Sequence, residues 1–121
     1  MLRGDNVVKT LVYESEVIAE IFIADSFVKR FLGFMFRKKP HHEGILIKPC
    51  NSIHTFFMKF SIDVLFVSED MKVIKKVENL KPGKIIMPQG KAKMVIEGIT
   101  GTFKNVEEGK LIEIRQKIYI K

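Results

Sequence analysis

The chain has no tryptophan, only two tyrosines, one cysteine and no long apolar run. Each absence removes a class of protein. One thiol, Cys50, cannot build an internal disulfide framework, and lone thiols are most often small core fillers rather than nucleophiles. Beside only three histidines, His41, His42 and His54, it leaves too few donors for a closed structural zinc site, although the Cys50/His54 spacing would let those two supply a pair of ligands. No metal and no cofactor is therefore expected. No stretch approaches the roughly 18 apolar residues that a bilayer-crossing helix requires, so no membrane span is expected. Met1 to Asn6 lacks the basic-then-apolar build of a secretory signal, which makes the cytoplasm the expected location. With Tyr13 and Tyr119 as the only tyrosines and no aromatic residues interleaved through the basic runs, the stacking groups of a nucleic-acid platform are missing too.

What is present is an ordinary globular composition, 46% apolar and 29% charged over 121 residues. That length suits one domain, residues 1–121, with one hydrophobic core. The formal charge of +7 is uneven. Residues 1–28 are acidic on balance, whereas 29–48 hold six basic residues against Glu43, and 72–93 hold seven lysines against Glu78. If the two basic segments share a face they would attract polyanions such as nucleic acid or anionic lipid, weakly and in a salt-sensitive way. The plainer reading is a lysine-rich solvated surface of the kind that carries ion-pair networks at high temperature.

Two β-rich runs, 7–13 and 17–23, flank Glu14-Ser15-Glu16 and predict a hairpin. After Asp25-Ser26, two good N-cap residues, Phe27, Val28, Phe31, Leu32, Phe34 and Met35 recur at spacings of three and four. They predict a short helix near residues 26–33, stopped at Gly33. Residues 37–44 are a loop by composition, with His41 and His42 expected in solvent. A brief strand follows at Ile45 to Ile47, then a second hairpin whose far arm is 71–77. Lys91 to Glu97 alternates lysine with apolar residues and predicts a half-exposed strand. Thr100 to Val106 suits a helical turn, and Lys110 to Ile120 an edge strand guarded by charge. The fold class is thus mostly β (α+β): a single compact domain with an antiparallel sheet or partly open barrel and one short helix.

The chain is organised around residues 50–67. From Phe56 to Val67 the residues are too apolar, and too β-branched or aromatic, for a one-sided element, which predicts a central strand or pair of strands covered on both faces. Asp63 is the anomaly. If Ile62, Val64 and Phe66 share one face, Asp63 lies on the other with Leu65 and Val67, where a carboxylate needs partners or a proton. His54, Thr55, Arg30 and Arg37 are the candidates to supply them.

Several blocks taken together resemble a known family. These are Arg30 followed by Gly33-Phe34-Met35-Phe36-Arg37, then Gly44-Ile45-Leu46, then Ile53 to Phe66, then Val73-Ile74 and Lys81-Pro82-Gly83. The chain resembles, from about Phe27 to its C-terminal strand, the family catalogued as domain of unknown function 192, with Met58, Asp63 and Phe66 on its signature positions. The resemblance implies a compact, mostly β domain with a short helix, exported in some members and retained in others, and no settled activity. Where the family usually follows a glutamate with leucine-proline-alanine-glycine, this chain has Glu97-Gly98-Ile99-Thr100-Gly101; where it has glycine-aspartate, Gly109-Lys110 stands.

For function, Asp63 with His54, or Asp63 with Glu97, are the available acid/base pairs of a hydrolase-type site. A buried carboxylate that ties a strand to a loop is the commoner use of such a residue, so no catalytic residue is assigned. The leading expectation is a pocket for a small molecule or protein partner, formed by Arg30, Arg37, His54, Thr55, Met58, Asp63 and Glu97. Weak nucleic-acid contact through 29–48 and 72–93 is the alternative.

Overall fold

The computed structural model describes residues 8–24 and 32–117. The predicted hairpin forms from β1 (Val8–Tyr13) and β2 (Glu16–Ala24). Its two-residue turn places Glu14 and Ser15 at φ 50° and 68°, the left-handed pair whose twist matches that of the flanking strands. Beside β2, in parallel, runs β3 (Gly44–Ile47), and every other pairing is antiparallel. With β4 (Ile53–His54), β5 (Ile62–Ser68), β6 (Val73–Leu80), β7 (Ile85–Ile86), β8 (Ala92–Ile99) and β9 (Glu113–Gln116), the main sheet reads β6-β5-β8-β3-β2-β1-β9. A separate ribbon joins β4 to β7. The sheet curls until its edges touch at one end, where Lys72 bridges Leu111 and the Val73 N–H donates to the Lys110 carbonyl (2.8 Å), yet it does not close along its length. The chain is therefore mostly β, with an open sheet.

Strict alternation divides the core in two. One face gathers Leu11, Ile21, Leu46, Leu65, Val67, Ile96 and Phe103; the other gathers Phe22, Phe34, Ile45, Ile62, Val64, Phe66 and Val95. All seven residues of β5 are buried, as expected of a strand flanked on both sides and covered on both faces. Close approach on the first face requires Gly98, because a Cβ there would lie 2.8 Å from the ring of the fully buried Phe103.

One expectation lies mostly outside the described residues, and others are refined. The predicted helix at 26–33 falls largely on residues 25–31, outside the described residues; Gly33, at φ 48°, has the left-handed backbone of a helix-ending glycine. Of the central strand or pair of strands expected over Phe56 to Val67, one strand forms, and it begins at Ile62. The Thr55 hydroxyl donates to the Lys81 carbonyl (2.7 Å) and accepts from the Lys84 N–H (2.8 Å), and the Met58 N–H turns back to the Thr55 carbonyl (3.2 Å), so the chain leaves its extended path there. Thr100 to Val106, expected as a helical turn, is a run of consecutive turns in which the Thr102, Lys104 and Val106 N–H groups each donate to the carbonyl three residues back.

Asp63 is 1% exposed and does have polar company, though not from the imidazole or guanidinium groups expected. Its Oδ1 accepts the Asn79 N–H (2.8 Å) and its Oδ2 the Gly101 N–H (2.7 Å), tying β5 to the end of β6 and to the turn after β8. Asp63→Ala would take the acceptor away from both part-buried backbone donors. It should lower the unfolding free energy by about 2–4 kcal/mol, with Asp63→Asn milder because its carbonyl still accepts one of them. Urea unfolding of the three proteins checks this; equal midpoints would refute the clamp.

Candidate functional site

The two carboxyl groups of the central strands are one rung apart and face opposite ways. Val64 pairs with Glu97 while Asp63 pairs with Gly98, so alternation sends Asp63 toward the Phe103 side and Glu97 toward the Phe34 side. Neighbouring strands thus do not make Asp63 and Glu97 an acid/base pair.

Glu97 lines a cavity of about 190 Å³ together with Leu32, Gly33, Met35, Ile47, Cys50, Ser52, Ile53, His54 and Met58. It is 2% exposed, and its Oε1 has no hydrogen-bond partner among the described residues. Burial pushes its pKa up to about 8, opposed by the Phe34 backbone N–H, which favours the charged form. Near neutral pH the group is mostly a protonated acid. Gly33 allows this approach: a Cβ there would lie 3.0 Å from Oε1.

The remaining wall comes from the segment before β5. His54, half-buried in β4, accepts the Phe56 N–H on Nδ1 (3.2 Å) and stacks on the Phe56 ring at 5.2 Å. Nδ1 being an acceptor, the neutral imidazole carries its proton on Nε2. The Cys50 thiol donates to the Ser52 carbonyl (3.0 Å), and the Met35 and Met58 thioethers are buried.

Of the residues proposed from sequence, the fold brings His54, Met58 and Glu97 to this cavity. Asp63 lies on the other face, and Thr55 is spent on pinning the Lys81 to Lys84 turn. Arg37 is exposed and lies beside His41 and His42, while Arg30 falls outside the described residues. Sequence reasoning missed Gly33 and Met35, and it read Cys50 as filler. The glycine at a helix end was the one available signal. Of the two loop histidines expected in solvent, His41 is exposed and His42 half-buried. His42 stacks flat on Phe22 (4.6 Å, 6°) and His41 meets Phe34 edge-on (5.6 Å). Partial burial, then Arg37, then His42 lower the His41 pKa to about 4.

A broader depression of about 560 Å³ lies between β2 and the 39–43 loop, where Lys117 Nζ donates to Glu20 Oε1 (2.9 Å) and Glu43 Oε1 accepts the Glu20 N–H (2.6 Å). Among the described residues no three His, Cys, Asp or Glu side chains converge as a metal site, and no helix is long and apolar enough to cross a membrane.

Residues 10–114 match the model of domain of unknown function 192, described as an uncharacterized ACR, and the chain belongs to that family. It is 43% identical over 93 residues to a UPF0127 protein of Pyrococcus horikoshii, covering 73% of this chain and 79% of the relative. A UPF0127 protein of Pyrococcus furiosus is 36% identical over 110 residues, covering 85% and 93%. Among solved structures, a protein of unknown function from Novosphingobium aromaticivorans superposes with a TM-score of 0.73 at 20% identity, over 89% of this chain and 84% of that one. A Sinorhizobium meliloti protein described as a candidate transcription regulator gives 0.77 at 20% identity, over 93% and 98%. These likenesses carry the fold.

The state of Glu97 gives stability a definite pH dependence. Between its ordinary value of 4.5 and about 8, the native protein holds a proton that the unfolded chain has lost. Stability should therefore fall as pH rises through that window, by at most about 1.4 kcal/mol per pH unit, and level off above it. Glu97→Gln should remove the slope. Urea unfolding across the window tests this, and an identical slope in the variant would assign the dependence elsewhere.

Proposed function

We propose that this member of the family is a small-ligand binding module whose occupant sits in the cavity between β4 and the Leu32 to Met35 turn, anchored by Glu97. One observation carries the reading: a carboxyl oxygen buried in the wall of a cavity with no protein partner among the described residues. An unsatisfied buried polar atom costs on the order of 1–3 kcal/mol, and a ligand supplying an N–H or O–H recovers that loss. The walls define the rest of the ligand. Met35, Ile47, Ile53 and Met58 suit a compact apolar body, and thioethers adapt to irregular shapes. His54 and Cys50 add polar contacts beside Glu97.

Binding is favoured over hydrolysis because Asp63, the partner a His54-centred mechanism would need, is committed to two backbone donors on the opposite face. A cytoplasmic location goes with this reading, supported by a chain whose single cysteine can build no internal disulfide framework.

Benzylamine and benzamide, each an apolar ring with one donor group, are suitable probes. With the methionine methyl groups labelled with carbon-13, either probe at millimolar concentration should shift the Met35 and Met58 signals and leave Met71, at the other face, unmoved. Glu97→Gln should weaken the benzylamine response about tenfold, since an amide cannot become the counter-charge of an ammonium. Probes that move no cavity methionine, or that move them equally in Glu97→Gln, would overturn the assignment.

A further inference from the structure

The large apolar side chains that the fold leaves exposed are not scattered. Among the described residues nine are exposed, and six of them, Leu32, Phe36, Phe56, Phe57, Ile85 and Met87, come from three neighbouring segments. Those segments are bound to one another. The Phe36 N–H donates to the Phe57 carbonyl (3.0 Å), the Thr55 N–H to the Lys84 carbonyl (2.8 Å), and His54 pairs with Ile85 across the β4–β7 ribbon. Clustered exposed hydrocarbon marks a surface that is covered in use.

The backbone is bent to produce it. Phe36 and Phe57 have φ 66° and 65°, a left-handed conformation that bulky side chains rarely adopt, and their rings are stacked at 5.3 Å and 21° while their residues stay 59% and 65% exposed. Strain of this kind would ordinarily be spent on burial. Here it holds two rings out in solvent.

Charge identifies the occupant. Residues 32–42, 51–62 and 81–93 contain eight lysines and arginines and not one aspartate or glutamate. All eight are exposed, and none is in an ion pair among the described residues. A nucleic-acid strand would want free ring faces, yet Phe36 and Phe57 already cover one face of each other, Phe56 stacks on His54, and Leu32, Ile85 and Met87 offer nothing for a base to stack on. Aliphatic and aromatic tips carried on segments with exposed cations and no acid match the boundary between acyl chains and anionic headgroups.

We propose that this end of the molecule docks on an anionic lipid bilayer, with Phe36 and Phe57 entering the interface and Arg37, Lys38, Lys39, Lys59 and Lys84 lying over the headgroups. The inference does not rest on the cavity ligand, although Leu32 borders both surfaces.

The full chain is floated with vesicles of phosphatidylcholine alone and of equal parts phosphatidylcholine and phosphatidylglycerol. Binding is expected to the mixed vesicles only. Phe36→Asn/Phe57→Asn should weaken it about tenfold without loss of fold, because asparagine tolerates the left-handed backbone. Lys38→Glu/Lys39→Glu should weaken it as much at low salt. The absence of tryptophan permits a second reading: Phe57→Trp supplies the chain's one indole, whose emission should shift to the blue with mixed vesicles and be quenched by brominated acyl chains. Three results would overturn the proposal: no binding to mixed vesicles at low salt, binding indifferent to the phenylalanine changes with no shift of the indole, or tighter, phenylalanine-dependent binding to single-stranded oligonucleotides than to vesicles.

Discussion

The structure depends on β5 and β8 lying side by side with both faces of each covered. Once neither strand has a solvent face, every side chain on them must be apolar or have a local answer to burial, and the fixed two-residue period decides which side that answer must come from. Asp63 is answered by two backbone N–H groups on the Phe103 side. Glu97, on the next rung and the other side, is answered only in part, by the Phe34 N–H and by keeping its proton. A slip of one residue in the pairing would exchange these environments and place Phe66 among the contacts of Leu65, so the register is strongly determined.

Much of this was legible in the residues. Asp63 stood out because Ile62, Val64 and Phe66 alternate around it so regularly, and the same alternation sorted the two faces correctly. Its partners were not legible: they are main-chain groups 16 and 38 positions away, and a backbone N–H has no signature in sequence. Glu97 was read as the end of a half-exposed strand because Lys91 and Lys93 alternate with apolar residues. That pattern describes only the start of β8; beyond Met94 the strand runs between β3 and β5, and solvent is excluded from both sides. His41 and His42 were assigned to solvent from the polarity of their loop; His41 does stay exposed, but the rings of Phe22 and Phe34 that meet the pair come from elements that nothing local announces.

The cavity and the apolar end of the molecule share a wall. Within five residues the turn presents Gly33 to the Glu97 carboxyl, buries Phe34 and Met35, and turns Phe36 outward. Leu32 belongs to both, lining the cavity while part of it remains exposed. The Phe36 to Phe57 hydrogen bond links this turn to the Thr55 to Met58 turn, so a displacement of either aromatic tip would be felt by Met35 and Met58 inside. Neither surface can be altered at this turn without some effect on the other.

The histidine pair has a consequence for the loop that carries it. Imidazoles are ordinarily the groups that make a basic surface more cationic as a compartment acidifies. Here one lies flat on Phe22 and the other edge-on to Phe34, beside the Arg37 guanidinium, and His41 takes up its proton only near pH 4. The His41 imidazole therefore adds no charge to residues 37–42 through the mildly acid range in which an unperturbed histidine would have acted as a sensor, and burial and Arg37 push His42 in the same direction.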